Sequence, residues 1–209
     1  MKLLLILVVL ASNIVWGEWI EPPTHSAKGH RVPTPDYVPV FPRDHGSHPE
    51  HGIEWWYWVG HLNAVDSGKK FGFQSTIFRL AGDPEKSGVT QSEPFGNQNL
   101  FLVHTALSDF EEEKYIHHER VMREGWQARS SEKTLSLTVG GVKVNLLEEE
   151  DGHKVVTRYP DGAKLELTFK PTKPLVSFGD RGLSRKGADP ASVSWYWSYT
   201  RLQAKGTLF

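Results

Sequence analysis

Cysteine is absent from the 209 residues. That excludes disulfides, thiolate nucleophiles, cysteine-zinc sites and a lipid anchor on an N-terminal cysteine. Helical patterning is missing too: no stretch carries a strong apolar recurrence at three and four residues. There is no GxSxG elbow and no phosphate-cradling glycine loop, so acyl and phosphoryl transfer have no motif here, and nothing in the chain calls for a cofactor. Charge of one sign is not in excess. Lys and Arg number 24 against 25 Asp and Glu, which leaves no nucleic-acid footprint. Long apolar runs are also lacking. Leu3 to Leu10, eight residues, is the one marked run, too short to cross a hydrocarbon core of ~30 Å. Lys2 precedes it, and the small residues Val15 and Gly17 follow. This reads as an export leader cut after Gly17, with a retained anchor as the alternative. Taking 17 residues from 209 leaves 192, with 23 basic and 25 acidic groups and a net charge of −2. That length suits one large β domain whose core alone holds it together.

What the chain has is aromatic rings: eight Trp, ten Phe and six Tyr. The stretch Phe41 to Leu62, FPRDHGSHPEHGIEWWYWVGHL, concentrates them. It begins as a proline-broken loop and becomes the run Trp55, Trp56, Tyr57, Trp58, with Glu54 at the junction. Successive side chains on a strand point to opposite faces, so such a run suits a strand covered on both sides. Before it, residues 18–50 hold Pro22, Pro23, Pro33, Pro35, Pro39, Pro42 and Pro49, a density that no helix or central strand survives. They are expected to form an extended lead-in to a domain spanning 51–209.

Strands are expected at Ile53–Asn63, Phe71–Leu80, Leu100–Ser108 and Tyr115–Arg123, with a long loop over 81–98. A regular meander follows: Lys133–Val139, Val142–Glu149, His153–Tyr159 and Ala163–Phe169. Gly140-Gly141, Asp151-Gly152 and Asp161-Gly162 supply tight hairpin turns. A second loop at 171–192 leads to a ninth strand, Val193–Gln203. Nine antiparallel strands in sequence predict an all-β, up-and-down barrel, closed or nearly so, with room for one elongated ligand. The chain stops at Lys205–Phe209 as if inside a further strand, which reads as a truncated or partial protein.

The candidate site residues follow from the strands. Glu54, Trp56 and Trp58 share one face of the first strand; Trp55, Tyr57 and Val59 share the other. These rings are either core or pocket wall. Trp195, Trp197, Tyr199 and Arg201 share a face of the ninth strand. A carboxylate drawn into an aromatic interior either pairs with a cation or carries a raised pKa. Arg79 and Arg201 are the two candidate partners for Glu54. Gln74 is a polar residue in an apolar strand that either points inward or lies on the surface. His45, His48 and His51, with Asp44 and Glu54, have metal-ligand density but no recognised ligand spacing. Solvated or capping roles are expected for most of these histidines.

The segment FPRDHGSHPEHGIEWWYWVGHL followed by FGFQSTIFRL resembles the opening of the AttH/CrtC family of lipocalin-like proteins. LVHTALSD at 102–109, FGDRG at 178–182 and WYWSYTRL at 195–202 resemble later blocks of that family in the same order. The resemblance implies two lipocalin-type barrels in tandem, of which this chain carries the first, with a ligand site that draws on both. It also implies carotenoid hydratase, kievitone hydratase or pericyclase-type activity, or an export-associated role beside lipoprotein-type ABC exporters; other members are called secreted hydrolases. The implied ligand is an apolar lipid or isoprenoid. Adding water to an isoprenoid double bond needs an acid, for which Glu54 is the first candidate and Asp109 and Asp180 are the others. Aromatic faces would then stabilise the cation. The alternatives are a non-catalytic carrier, an inactive remnant, and a Glu54 ion pair that only locks the barrel.

Overall fold

The computed structural model describes residues 19–84, 99–147 and 152–209. The expected leader and its cut after Gly17, most of the 81–98 loop, the end of the Val142–Glu149 strand and Asp151 of the Asp151-Gly152 turn lie outside these residues. In chain order the strands are β1 (Ile53–Asn63), β2 (Lys70–Leu80), β3 (Leu100–Asp109), β4 (Lys114–Arg123), β5 (Ala128–Ser130), β6 (Ser136–Val139), β7 (Val142–Leu146) and β8 (His153–Arg158). They continue with β9 (Lys164–Pro171), β10 (Leu175–Ser177), β11 (Leu183–Arg185), β12 (Val193–Trp195), β13 (Trp197–Tyr199) and β14 (Leu202–Leu208). One 3-10 turn, Arg43–His45, precedes them. All described pairings are antiparallel.

Alternation builds the two main sheets. The first is the meander β1-β2-β3-β4, and the second runs β14-β9-β8-β7-β6-β5. On β7, Val142 and Val144 are buried while Lys143 is exposed; on β9, Leu165, Leu167 and Phe169 are buried while Thr168 is exposed. The β6–β7 turn uses Gly140 and Gly141 at φ of 54° and 99°, a left-handed pair that side chains with a Cβ resist. Between the sheets lie Ile77, Phe101 and Val103 from one side and Val139, Val142 and Val144 from the other, all essentially closed to solvent. Two polar contacts pin the sheets across this core. Ser75 and Thr157 share a hydrogen bond of 2.7 Å, and the Tyr159 hydroxyl donates to the Ala106 carbonyl at 3.2 Å.

The architecture is the lipocalin-like antiparallel one that the sequence predicts, but the final segment differs. Val193–Gln203 is not one strand. It divides into β12, β13 and the start of β14, which pair with β11, β10 and β9 respectively. The loop expected over 171–192 supplies β10 and β11, and the 124–132 connection contains β5. Divided in this way, the aromatic pieces fold back over β1 and the lead-in. The lead-in, expected as an extended segment ahead of the domain, packs against them.

Candidate functional site

A cavity of about 720 Å³ lies between β1, the β12–β13 segment and the lead-in, with His153 and Leu135 contributed by the second sheet. The faces of β1 decide what each residue does there. Glu54, Trp56 and Trp58 turn inward, opposite Arg79, Ile77 and Ser75 of β2. The Trp56 indole donates to the His45 carbonyl at 3.0 Å, and the Trp58 indole to His153 Nδ1 at 3.3 Å. On the other face, the Tyr57 hydroxyl donates to Ser198 Oγ at 2.9 Å and lies 3.3 Å from the Tyr196 hydroxyl. Trp55 meets the Tyr196 ring at 6.2 Å. The β12–β13 segment keeps its own alternation: Trp195 and Trp197 stack on Tyr37 at 4.1 and 6.2 Å, and Tyr199 approaches the His45 and His153 rings. The Trp195 indole donates to the Thr34 carbonyl, which ties the lead-in to this wall.

Beside the cavity sits a buried charge cluster. Arg79 Nε donates to Glu54 Oε2 at 2.6 Å, and Arg79 Nη2 donates to the carbonyls of His48 and His51, both at 2.8 Å. The backbone N–H of His48 and its Nδ1 both reach Glu54 Oε1, at 2.6 and 2.8 Å. His48 Nε2 reaches Asp44 Oδ1 at 3.1 Å. Asp44 Oδ2 also accepts from the Tyr37 hydroxyl at 2.8 Å and from the Val40 N–H. Two carboxylates, one guanidinium and an imidazole bonded at both nitrogens thus form one chain. Burial alone would raise Glu54, but the hydrogen bond to His48 and the Arg79 charge outweigh it and hold the carboxyl below its usual range. Asp44 is likewise lowered: burial opposes this, while the Val40 N–H, the Tyr37 hydroxyl and His48 drive it. Burial would lower His48, but its bonds to Glu54 and Asp44 prevail and raise it. The cluster is therefore two anions against two cations, internally neutral.

Two other buried histidines, His51 and His153, are shifted the opposite way. His51 donates Nδ1–H to the Arg31 carbonyl at 2.7 Å, and burial lowers its pKa. Burial, with a smaller push from His45, lowers His153 to about 4. The expectation of solvated histidines in the Pro/Gly loop is corrected: His45, His48 and His51 are all buried, because the rings of the β12–β13 segment cover them. Among the described residues no group of three or more His, Asp or Glu is placed to hold a metal ion.

Of the predicted site residues, Glu54, Trp55, Trp56, Tyr57, Trp58, Trp195, Trp197 and Tyr199 all line the cavity. Arg79 stands behind Glu54 as its partner. Gln74 lies on the outer face, opposite Val59, and donates to Thr76. Arg201 is exposed, with its carbonyl accepting from the Thr172 N–H, and does not reach Glu54. Asp109 caps the β3–β4 turn through the N–H groups of Glu111 and Glu112, and Asp180 is exposed at the turn before β11. Neither acid borders the cavity. Sequence reasoning missed Tyr37 and His153. The inward register of His153, Val155 and Thr157 was the available signal for the second; nothing local marks the first.

The AttH-like family profile matches residues 32–209. The chain belongs to the AttH-like family. A crystal structure of a Nitrosomonas europaea protein given the AttH name is similar, with a TM-score of 0.67 and 30% sequence identity over 82% of this chain. The match covers 50% of that protein, so this AttH-like chain spans about half its length. No curated protein matches the chain.

Proposed function

We propose that this AttH-like chain binds an apolar small molecule, a lipid or isoprenoid, in the cavity between β1 and the β12–β13 segment. The observation that carries the reading is the wall itself: nine Trp, Tyr and Phe rings, among them Trp55, Trp56, Trp58, Trp195 and Trp197, around about 720 Å³ of space. Pockets for small molecules are of this size and are mostly apolar with a few placed polar groups.

Binding without turnover fits the cluster better than acid catalysis. Protonating an alkene needs an acid that holds its proton near neutral pH. Glu54 is ionised between Arg79 and His48, and both ring N–H groups of His48 are engaged by carboxylates. We assign Glu54 as the residue that fixes the lead-in to β1 and so shapes the cavity. Export, and association with an ABC exporter, belong to the same proposal and rest on the Met1–Gly17 leader pattern and the family resemblance.

The test is titration of the chain with a fluorescent polyene fatty acid and a linear isoprenoid, read by quenching of the cavity tryptophans. Saturable binding at micromolar concentration, lost in Trp195→Ala, is the expected result. Absence of saturation for both classes defeats the reading. Turnover of an isoprenoid alkene to an alcohol, abolished in Glu54→Gln with binding intact, would replace binding alone with hydration.

A further inference from the structure

We infer that the ligand of this cavity carries one neutral hydrogen-bond-accepting oxygen, a carbonyl or ether-like group, and that His153 Nε2–H is the donor that receives it. This deepens the apolar-ligand reading and rests on it.

The tautomer follows from one contact. An indole N–H only donates, so His153 Nδ1, 3.3 Å from Trp58 Nε1, must present its lone pair. In the neutral ring the proton then sits on Nε2. His153 is 6% exposed, and no described protein group accepts from Nε2. A buried donor without an acceptor costs about 1–3 kcal/mol. Trp58 has already fixed the ring, so turning it to satisfy Nε2 would only orphan the indole. The residue nonetheless lines the cavity, between the rings of His45 and Tyr199 at 5.5 and 5.9 Å. An occupant of the cavity can supply the acceptor that the described protein groups do not. Nε2 is closed to solvent in the free chain, so the oxygen reaches it as the wall adjusts around an occupant.

The same geometry restricts the chemistry of that oxygen. The ring stays neutral at physiological pH, because burial holds its pKa near 4, so it offers a dipole and not a charge. A carboxylate or phosphate at His153 would bring a charge to a place with no cation to meet it: Arg79 and His48 are matched by Glu54 and Asp44, and Lys186, which also lines the cavity, stands over the Trp55 and Tyr196 rings on the other face of β1. A ketone, ester carbonyl or ether is therefore favoured over a fatty-acid head at this position.

The experiment compares two ligands on the full chain by tryptophan quenching: geranylacetone, an isoprenoid methyl ketone, and its isostere with C=CH2 in place of C=O. The ketone is expected to bind about fivefold more tightly, the size of one net hydrogen bond. In His153→Phe the ratio of the two dissociation constants should fall to about one. A second readout needs no variant. With ¹⁵N-histidine labelling, the ketone should shift the Nε2 resonance of His153 and the hydrocarbon should not. A wild-type ratio near one, or a ketone that leaves Nε2 unmoved, overturns the inference while hydrocarbon binding keeps the apolar reading. Failure of both compounds to bind ends both.

Discussion

Arg79 is 2% exposed, yet it carries a full charge and answers to three acceptors at once: Glu54 and the carbonyls of His48 and His51. Removing it would leave Glu54 ionised, buried and short of its partner, at a cost of roughly 3–5 kcal/mol. Arg79→Met should therefore lower the free energy of unfolding by that amount in a urea titration. Arg79→Lys should recover only part of it, since an ammonium cannot serve the same fork of acceptors. The pH response can be signed from the same neighbourhood. His153, packed by Trp58, His45 and Tyr199, titrates at 6.5 when unfolded and about 4 when folded. Between those values the unfolded chain takes up a proton that the folded chain refuses. Stability should fall by about 3 kcal/mol as pH drops from about 6.5 to about 4. Glu54 and Asp44, both lowered, add to this loss at more acid pH, where they are protonated. His48 is raised, so its contribution is full below its ordinary value and disappears as pH climbs through its folded one. Denaturant midpoints measured across pH should show the acid slope in wild type and less of it in His153→Phe.

At the scale of elements, the turn between Phe178 and Leu183 holds the two short strand pairs in place. Gly179 has φ of 93°, and a Cβ there would lie 2.0 Å from the Leu183 carbonyl oxygen. Gly179→Ala should displace β11 and with it β12, weakening ligand binding tenfold or so (~1.4 kcal/mol) while the main unfolding transition moves little. Binding titration beside thermal unfolding checks both halves of that statement. The strands that built the main sheets were readable beforehand, because alternation in VKVNL and KLELTF and the Gly-Gly turn each state a local rule that the fold obeys. The register of β1 on β2 follows from the same rules and sets Glu54 opposite Arg79. The division of Val193–Gln203 was not readable. Its pieces look alike in the sequence, and their separate partners at 175–177 and 183–185 lie in a stretch interrupted by Gly and Pro. Burial of His45, His48 and His51 was hidden for a related reason. A Pro/Gly loop looks solvated until distant rings are laid over it.

For the whole molecule, the two sheets meet across one core but leave edges. Strand β4, KYIHHERVMR, carries charges that discourage pairing with another chain. Strand β14 is less protected: it pairs only with β9 among the described strands, and Leu208 and Phe209 are exposed. Light scattering should show mass rising with concentration, and Leu208→Lys should suppress the rise. A monomer throughout would count against β14 as an adhesive edge. A ligand that binds only the folded chain should also raise the thermal midpoint. At a hundredfold excess over its dissociation constant the gain is about 2.7 kcal/mol.

The cavity wall joins parts of the chain that lie far apart along it. Trp195 reaches Thr34 across 161 residues, and Tyr57 reaches Ser198 across 141. The β6 to β9 meander, by contrast, closes through neighbours and short turns. Contacts between distant segments carry the larger loop-closure entropy and tend to form late. The binding wall is thus expected to assemble last when the chain refolds. Because its tryptophans are concentrated in β1 and the β12–β13 segment, fluorescence should lag behind the far-ultraviolet circular dichroism signal of the sheets in a stopped-flow experiment. Newly made chains would then pass through a stage with the scaffold in place and the binding aromatics still uncovered, a window in which a chaperone or the ligand itself can act.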